Sequence, residues 1–455
     1  VRAKIFYPNY FPSPTFSRTY LVGIEHELPI VTLTTEPDNF FSVTDGIYAL
    51  GNNASEDFPY FGANFWEDWE RPLHFALYPQ ADSLGIAQNI GTKIFGGWSR
   101  GNDQKSLSLF ARSSYGPGEF AYPFFSQRPF EEYQALVLRN SGNDWLHSMF
   151  RDAMHTSLME GLDLEFQAYR PTVAYLNGTY WGIHNLREKV NEHFIASRFD
   201  VNPDEVNLLE FNGEIIQGDN SDYLDLIAYV QTNDLANPNA YQVVADQIDV
   251  DNFALYLSAQ VYWNNTDWPG NNIKFWNAPG RKWRWIYFDT DFGSNVWSPF
   301  SHFENTLAFA LEPNGPGWPN PPWSTLLTRR LVEQPIFRNK FVNQLADLMN
   351  SRYLPATVNG HIDTLTERLA SEIPVHFERW EGDTGTWDEQ VGRMRNFVNQ
   401  RPSLMKNNIL EEFNLPAYRS LELTIDHPSA GYVQLNTLTI TADNWQGDYF
   451  QNVPI

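Results

Sequence analysis

The chain has 455 residues, with 55 acidic against 31 basic side chains and a net charge of −24; this excludes nucleic acid or an anionic membrane as the main partner, because nothing supplies counterion release. A hydrophobic content of 42% with 16% aromatics excludes disorder, and a chain this long buries one large core or two to three smaller ones. No cysteine is present, which excludes disulfides, zinc knuckles and thiol chemistry and fits an exported bacterial protein.

No apolar run reaches the about 18 residues of a membrane-crossing helix. The start, Val1-Arg2-Ala3-Lys4, has neither an initiator Met nor an apolar signal core, so the chain is expected to be a piece of a longer protein. The β-like pattern at its last residues carries the same expectation. The many Trp and Phe residues predict rigid, aromatic-rich loops.

In chain order, residues 1–27, with Pro8, Pro12 and Pro14, read as a lead-in. Residues 28–34 predict a strand, 43–48 a short β-like stretch around Asp45-Gly46, 71–78 a strand, and 85–89 a hairpin turn. Strands at 92–95 and 106–111 flank a Gly-rich loop, 96–101. Backbone N–H groups of such a loop can approach phosphates closely, and Arg100 and Lys105 add positive charge. The plain alternative is a hairpin whose glycines supply turn dihedrals. Residues 134–138 read as a strand ending in Arg139.

Apolar residues Leu146, Met149, Phe150, Ala153, Met154 and Leu158 share one face, predicting a helix over 145–158 that stops near Gly161. Strands 171–175 and 179–184 pair across Asn177-Gly178, a strong hairpin signal. A polar connector, 185–189, and a helix to about Phe199 follow. The insert 202–240 is loop-rich with helical character at 223–232, and an apolar helix over 252–264 leads into a loop at Asp267. Beyond Asn295 come a Pro/Trp-rich segment, 299–323, and helices at 325–333, 335–349, 358–372 and 388–413. From Ser420 the pattern becomes strand-like, expected to open a separate β module. No repeat of solenoid period is visible.

The most informative stretch is 264–295. Two aromatic segments, 272–276 and 282–288, are joined by Asn277-Ala278-Pro279-Gly280, which is turn chemistry and predicts a hairpin. Asp267 and Asn272 stand before the first strand, and Asp289 and Asp291 end the second. In an antiparallel hairpin these ends lie side by side, so three carboxylates and one amide are expected to meet. Like charges at short range raise one another's pKa or recruit a cation. Oxygen-only ligands point to Mg²⁺, Mn²⁺ or Ca²⁺ rather than zinc. Asp267 and Asn272 have the spacing of the base Asp and metal Asn of protein kinases, and Asp291-Phe292-Gly293 is a DFG one hairpin later. The plain alternative is that these residues are turn formers flanking two strands.

The segments LRNSGNDW at 138–145, RDAM at 151–154, YLNGTYWGIHNLREKVNEHFI at 175–195, and the NNTDWPGNNIKFW and RKWRWIYFDTDFG runs resemble the CotH kinase family. LPIVTLTTEPDNFF, ERPLHFALY, QKSLSLFARSSYG and HFERW at 376–380 are similar to longer bacterial members, so the resemblance covers roughly 28–415. It implies an α+β, protein-kinase-like two-lobe fold: a lead-in at 1–27, a β-rich N-terminal lobe with one helix at 28–184, and a helical C-terminal lobe at 185–415. The start of a β module, 416–455, follows.

The resemblance also implies an atypical secreted or surface kinase, spore-coat proteins among its kind, which uses ATP with Mg²⁺ or Mn²⁺ to phosphorylate protein Ser or Thr hydroxyls. On the matching positions, Asp267 is the catalytic Asp and Asn272 a metal ligand. Asp289 and Asp291 are the two candidates for the principal metal Asp, Asp289 first. Glu188 falls at the hinge, where backbone meets adenine. Kinases place a Lys on the strand before the N-lobe helix; here Arg139 or Lys105 is the candidate phosphate cation, and Asp152 or Glu160 the helix partner. The alternative is a catalytically inactive pseudokinase or scaffold. A glycosidase, which also pairs carboxylates among Trp-rich loops, ranks last.

Overall fold

A computed structural model describes residues 1–13, 15–426 and 431–455. Pro14 of the predicted lead-in and residues 427–430 of the predicted β module lie outside the described residues. The chain is α+β and divides into two compact units. The first comprises Val1–Met149, Ala168–Phe194 and Leu365–Asp388, and the second Phe150–Gln167, Ile195–Thr364 and Glu389–Ile455.

The first unit is built on a closed barrel of seven strands, which leaves no free sheet edge. Its spatial order is Tyr169–Leu176, Thr179–Glu188, Ala135–Arg139, Ser106–Phe110, Ile86–Phe95, Arg71–Tyr78 and Ile30–Thr34. Neighbours are antiparallel except at the closure, where Val173 lies opposite Ile30 in a parallel pair. Alternation along each strand fills the interior: Leu107 and Leu109, Leu136 and Leu138, and Leu73, Phe75 and Leu77 meet in one buried cluster. Between the apolar positions, the Ser106 hydroxyl donates to Asn140 Oδ1 at 2.8 Å.

The Asn177-Gly178 turn is present, with φ of +51° and +87°, the dihedrals a tight two-residue hairpin demands. Gly182, in the following strand, has φ +86°. A Cβ there would meet His376 Nδ1 at 2.5 Å and Trp380 Nε1 at 2.8 Å. Only glycine lets the helix Ile373–Arg379 settle against this strand, where Ile183 N donates to His376 Nδ1 at 2.9 Å.

The second unit surrounds the helix Val250–Tyr262, which is buried on all sides from Asn252 to Tyr262 and capped by Asp249 Oδ1 accepting from Asn252 N. Beside it is a five-stranded sheet in the order Glu165–Phe166, Arg284–Tyr287, Lys274–Asn277, Asn207–Glu210, Glu214–Gln217. Five tryptophans of this unit, Trp263, Trp268, Trp276, Trp283 and Trp285, are fully buried.

Several expectations change. The helix expected over 145–158 is confined to Arg151–Ser157. Leu146 and Met149 take positive φ, and Asp144 turns its carboxylate onto Ser148 N and Oγ, which fixes a turn instead. Residues 43–48 form turns after an unforeseen short helix, Pro37–Phe41. Residues 86–89 are strand rather than turn, and 185–188 continue their strand, with Glu188 paired to Leu136. The C-terminal strands are tied into the second unit: Thr437 N and Oγ1 and Tyr449 OH all donate to the buried Asp347 carboxylate.

Candidate functional site

The central helix ends at Trp263, and the chain leaves it through Asn264 at φ +56°. The Asn264 side chain is held by Glu304 and Thr306, and Asn265 Nδ2 donates to Gln260 Oε1 at 2.8 Å. This delivers Asp267 to the mouth of the hairpin, 7% exposed. Three donors converge on its carboxylate: Asn271 Nδ2 on Oδ1 at 2.8 Å, Asn272 Nδ2 on Oδ2 at 2.8 Å, and Trp318 Nε1 on Oδ1 at 3.2 Å.

The hairpin itself pairs Lys274 with Ile286, Phe275 with Trp285 and Trp276 with Arg284. That register sets Asn272 beside the end of the second strand, where Asp289 follows at φ +54°. The proximity shows in the electrostatics. The Asp267 carboxyl is pushed up to about 6, chiefly by burial and further by the Asp289 charge, against the opposing pull of its three donors. Asn272 bonds Asp267 directly, and the hairpin register brings Asp289 to the same end of the ribbon. Asp291, two residues on, is fully buried.

The loop between Asp289 and Asn295 is held from within the second unit by the helix Arg151–Ser157. Asp152 Oδ1 accepts from Thr290 N and Oγ1, His155 bonds Thr290 and Ser294, and Arg151 Nη1 donates to Ser294 O. Asp152, considered from sequence as a partner for a phosphate-binding cation, thus holds the backbone of the loop between Asp289 and Asp291. The Pro/Trp-rich segment also belongs here: Gly270 N donates to Pro319 O at 2.7 Å, and Trp318 packs edge-on against Phe292. Sequence spacing gave no sign of Trp318, 51 residues from its partner.

The remaining predicted residues lie in the first unit. Lys105 is buried; its ammonium donates to Arg100 O at 2.7 Å and Asn102 O at 2.9 Å, and sits 3.9 Å over the Phe65 ring. Burial lowers its pKa to about 8. Arg100 turns back onto Gly96 O and the carbonyls of Phe65 and Trp66. Arg100 and Lys105 thereby brace the Gly-rich turn. Arg139 ends its strand opposite Asn185, buried at 7% exposure. Glu188 is buried, with its Oε2 accepting from Arg128 Nε and Nη2 and from Ala168 N.

Among the described residues, no three His, Cys, Asp or Glu side chains gather closely enough to hold a metal ion by themselves. The donor types of Asp289 and Asn272, one carboxylate and one amide, fit Mg²⁺ or Mn²⁺, which take one or two carboxylates and complete their shell with water and substrate phosphates. No helix among the described residues is long and apolar enough to cross a membrane. No curated protein matches the chain. The family model described as CotH kinase protein matches residues 92–405, well over half of the chain and including every site residue named above. The chain belongs to the CotH kinase family.

Proposed function

We propose that the protein transfers the γ-phosphoryl group of ATP to a Ser or Thr hydroxyl of another protein, with the barrel unit and the helical unit serving as the two lobes of a kinase-like frame. The observation that carries the reading is the environment of Asp267: a buried carboxylate oriented by three N–H donors, beside Asp289, with its pKa near 6. A base poised there accepts a hydroxyl proton far better than an ordinary Asp. In the transfer, the acceptor oxygen forms a bond to γ-phosphorus, the bond from γ-phosphorus to the ADP oxygen breaks, and the hydroxyl proton passes to Asp267. Asp289 and Asn272 would hold Mg²⁺ or Mn²⁺, with Asp291 the second candidate. When bound, the cation neutralises charge on the β- and γ-phosphates. Arg139 and Lys105 are the two candidates for the phosphate cation, and Lys105 is engaged by two loop carbonyls; the Glu188 backbone is the adenine contact. An exported, surface-located setting accompanies this reading.

That engagement of Lys105 and Arg100 by backbone carbonyls also favours a second reading, a pseudokinase that keeps the frame and a partner surface without turnover. Incubation with labelled ATP and Mn²⁺ or Mg²⁺, followed by mapping of phosphorylated Ser and Thr, separates the two. Absence of product together with absence of a nucleotide-dependent rise in Tm rejects the first.

A further inference from the structure

The loop that carries Asp289 and Asp291 is conformationally expensive. Asp289, Ser294 and Asn295 all take φ between +51° and +65°, a region L residues occupy uncommonly, Asp and Asn more readily than Ser. Asp289 and Asp291 flank Thr290, so what holds Thr290 holds the backbone from which both carboxylates project.

Three residues of one helical turn meet that need. Asp152 Oδ1 accepts from Thr290 N at 2.9 Å and from Thr290 Oγ1 at 3.1 Å. His155 spans the loop: Nδ1 lies 3.1 Å from Thr290 O and Nε2 2.5 Å from Ser294 Oγ. A carbonyl only accepts, so Nδ1 carries the proton and Nε2 accepts from Ser294 Oγ. Arg151 Nη1 donates to Ser294 O, and its Nη2 donates to Gln390 Oε1 at 2.9 Å. The His155 ring is pinned in turn by stacking on Trp263, with centroids 4.4 Å apart at 25°. Trp263 O accepts from Ser294 N at 3.0 Å. Trp263 ends the helix that delivers Asp267, so one imidazole ties the catalytic loop to the metal loop. Arg151, Asp152 and His155 are all fully or almost fully buried.

We infer that His155, with Asp152 and Arg151, is a positioning residue for the divalent cation: it sets the spacing between Asp289 and the Asp267 loop, and the metal affinity depends on it. This rests on the phosphoryl-transfer reading of the site.

The test measures Mn²⁺ binding by electron paramagnetic resonance on the full chain with a non-hydrolysable ATP analogue, comparing wild type, His155→Phe and Ser294→Ala. Phe keeps the stack on Trp263 and removes both hydrogen bonds; Ala removes only the bond to Nε2. The expected result is a loss of Mn²⁺ affinity of about 10- to 100-fold for His155→Phe, and near the lower end of that range for Ser294→Ala, the size found when residues supporting metal ligands are lost. Should His155→Phe fail to fold, Ser294→Ala decides alone. Folded variants with lowered Tm and unchanged Mn²⁺ affinity would mean a structural role only and overturn the inference, leaving the phosphoryl-transfer reading intact. A wild type that binds no Mn²⁺ with nucleotide overturns both.

Discussion

Asp267→Asn separates the buried charge from everything else in the site. Its carboxyl moves from 3.8 in the unfolded chain to about 6 in the fold, which at about 1.4 kcal/mol per unit is a penalty of about 3 kcal/mol when fully ionised. The sign follows from proton binding. Between those two values the folded state holds the proton more tightly than the unfolded one, so stability falls as pH rises through this window and levels off above the folded pKa. Of the full penalty, about 2 kcal/mol develops between about pH 4.5 and pH 7.5 by the same linkage. Asn cannot ionise and removes this slope. Its amide also faces the donors of Asn271, Asn272 or Trp318, costing roughly 1–3 kcal/mol, but that cost does not depend on pH. Paired urea denaturation by tryptophan fluorescence, read on the transition that the substitution moves, gives the difference in stability at each pH. Wild type should lose about 2 kcal/mol relative to Asp267→Asn over that range. A pH-independent difference, or one of opposite slope, would refute the claim that Asp267 is buried beside a like charge.

Lys105→Met tests the brace beneath the Gly-rich turn. Burial lowers the Lys105 pKa from 10.5 to about 8, so stability rises with pH between those values. The advantage of wild type over the variant should therefore grow from about pH 8 to pH 10.5 in thermal melts by about 3 kcal/mol. Arg284→Ala removes the hub of a cluster in which the buried Glu165, the part-buried Asp249 and the exposed Asp163 all pair with its guanidinium. Glu165 loses its cation there, though it keeps Trp276 Nε1, and urea midpoints should fall by the equivalent of about 3–5 kcal/mol.

Local chemistry made much of this architecture legible in the sequence. The hairpin of Lys274–Asn277 and Arg284–Tyr287 follows from two aromatic segments and a Pro-Gly turn, and the helix Pro335–Met349 from its opening proline and apolar spacing. Long-range pairing was not legible. The barrel closes only because residues 30–33 find residues 173–176 in parallel register, which no local pattern encodes. The helix expected over 145–158 failed because periodicity is blind to the Asp144 side chain, which claims the backbone of Ser148. In the site, Asp267 and Asn272 are close in sequence and bond to each other, so their spacing carried the signal. Trp318 and His155 reach it across 51 and 135 residues, and only the folded chain reveals them.

The most direct measurement is incorporation of labelled γ-phosphate into protein Ser or Thr by wild type and Asp267→Ala side by side, with Mn²⁺ present and Tm recorded for both. Wild type should incorporate label, and the variant should lose about 10²- to 10⁴-fold of that rate while retaining a cooperative melt. Equal incorporation by a folded Asp267→Ala would contradict the assignment of the proton acceptor, and with it the account of the site.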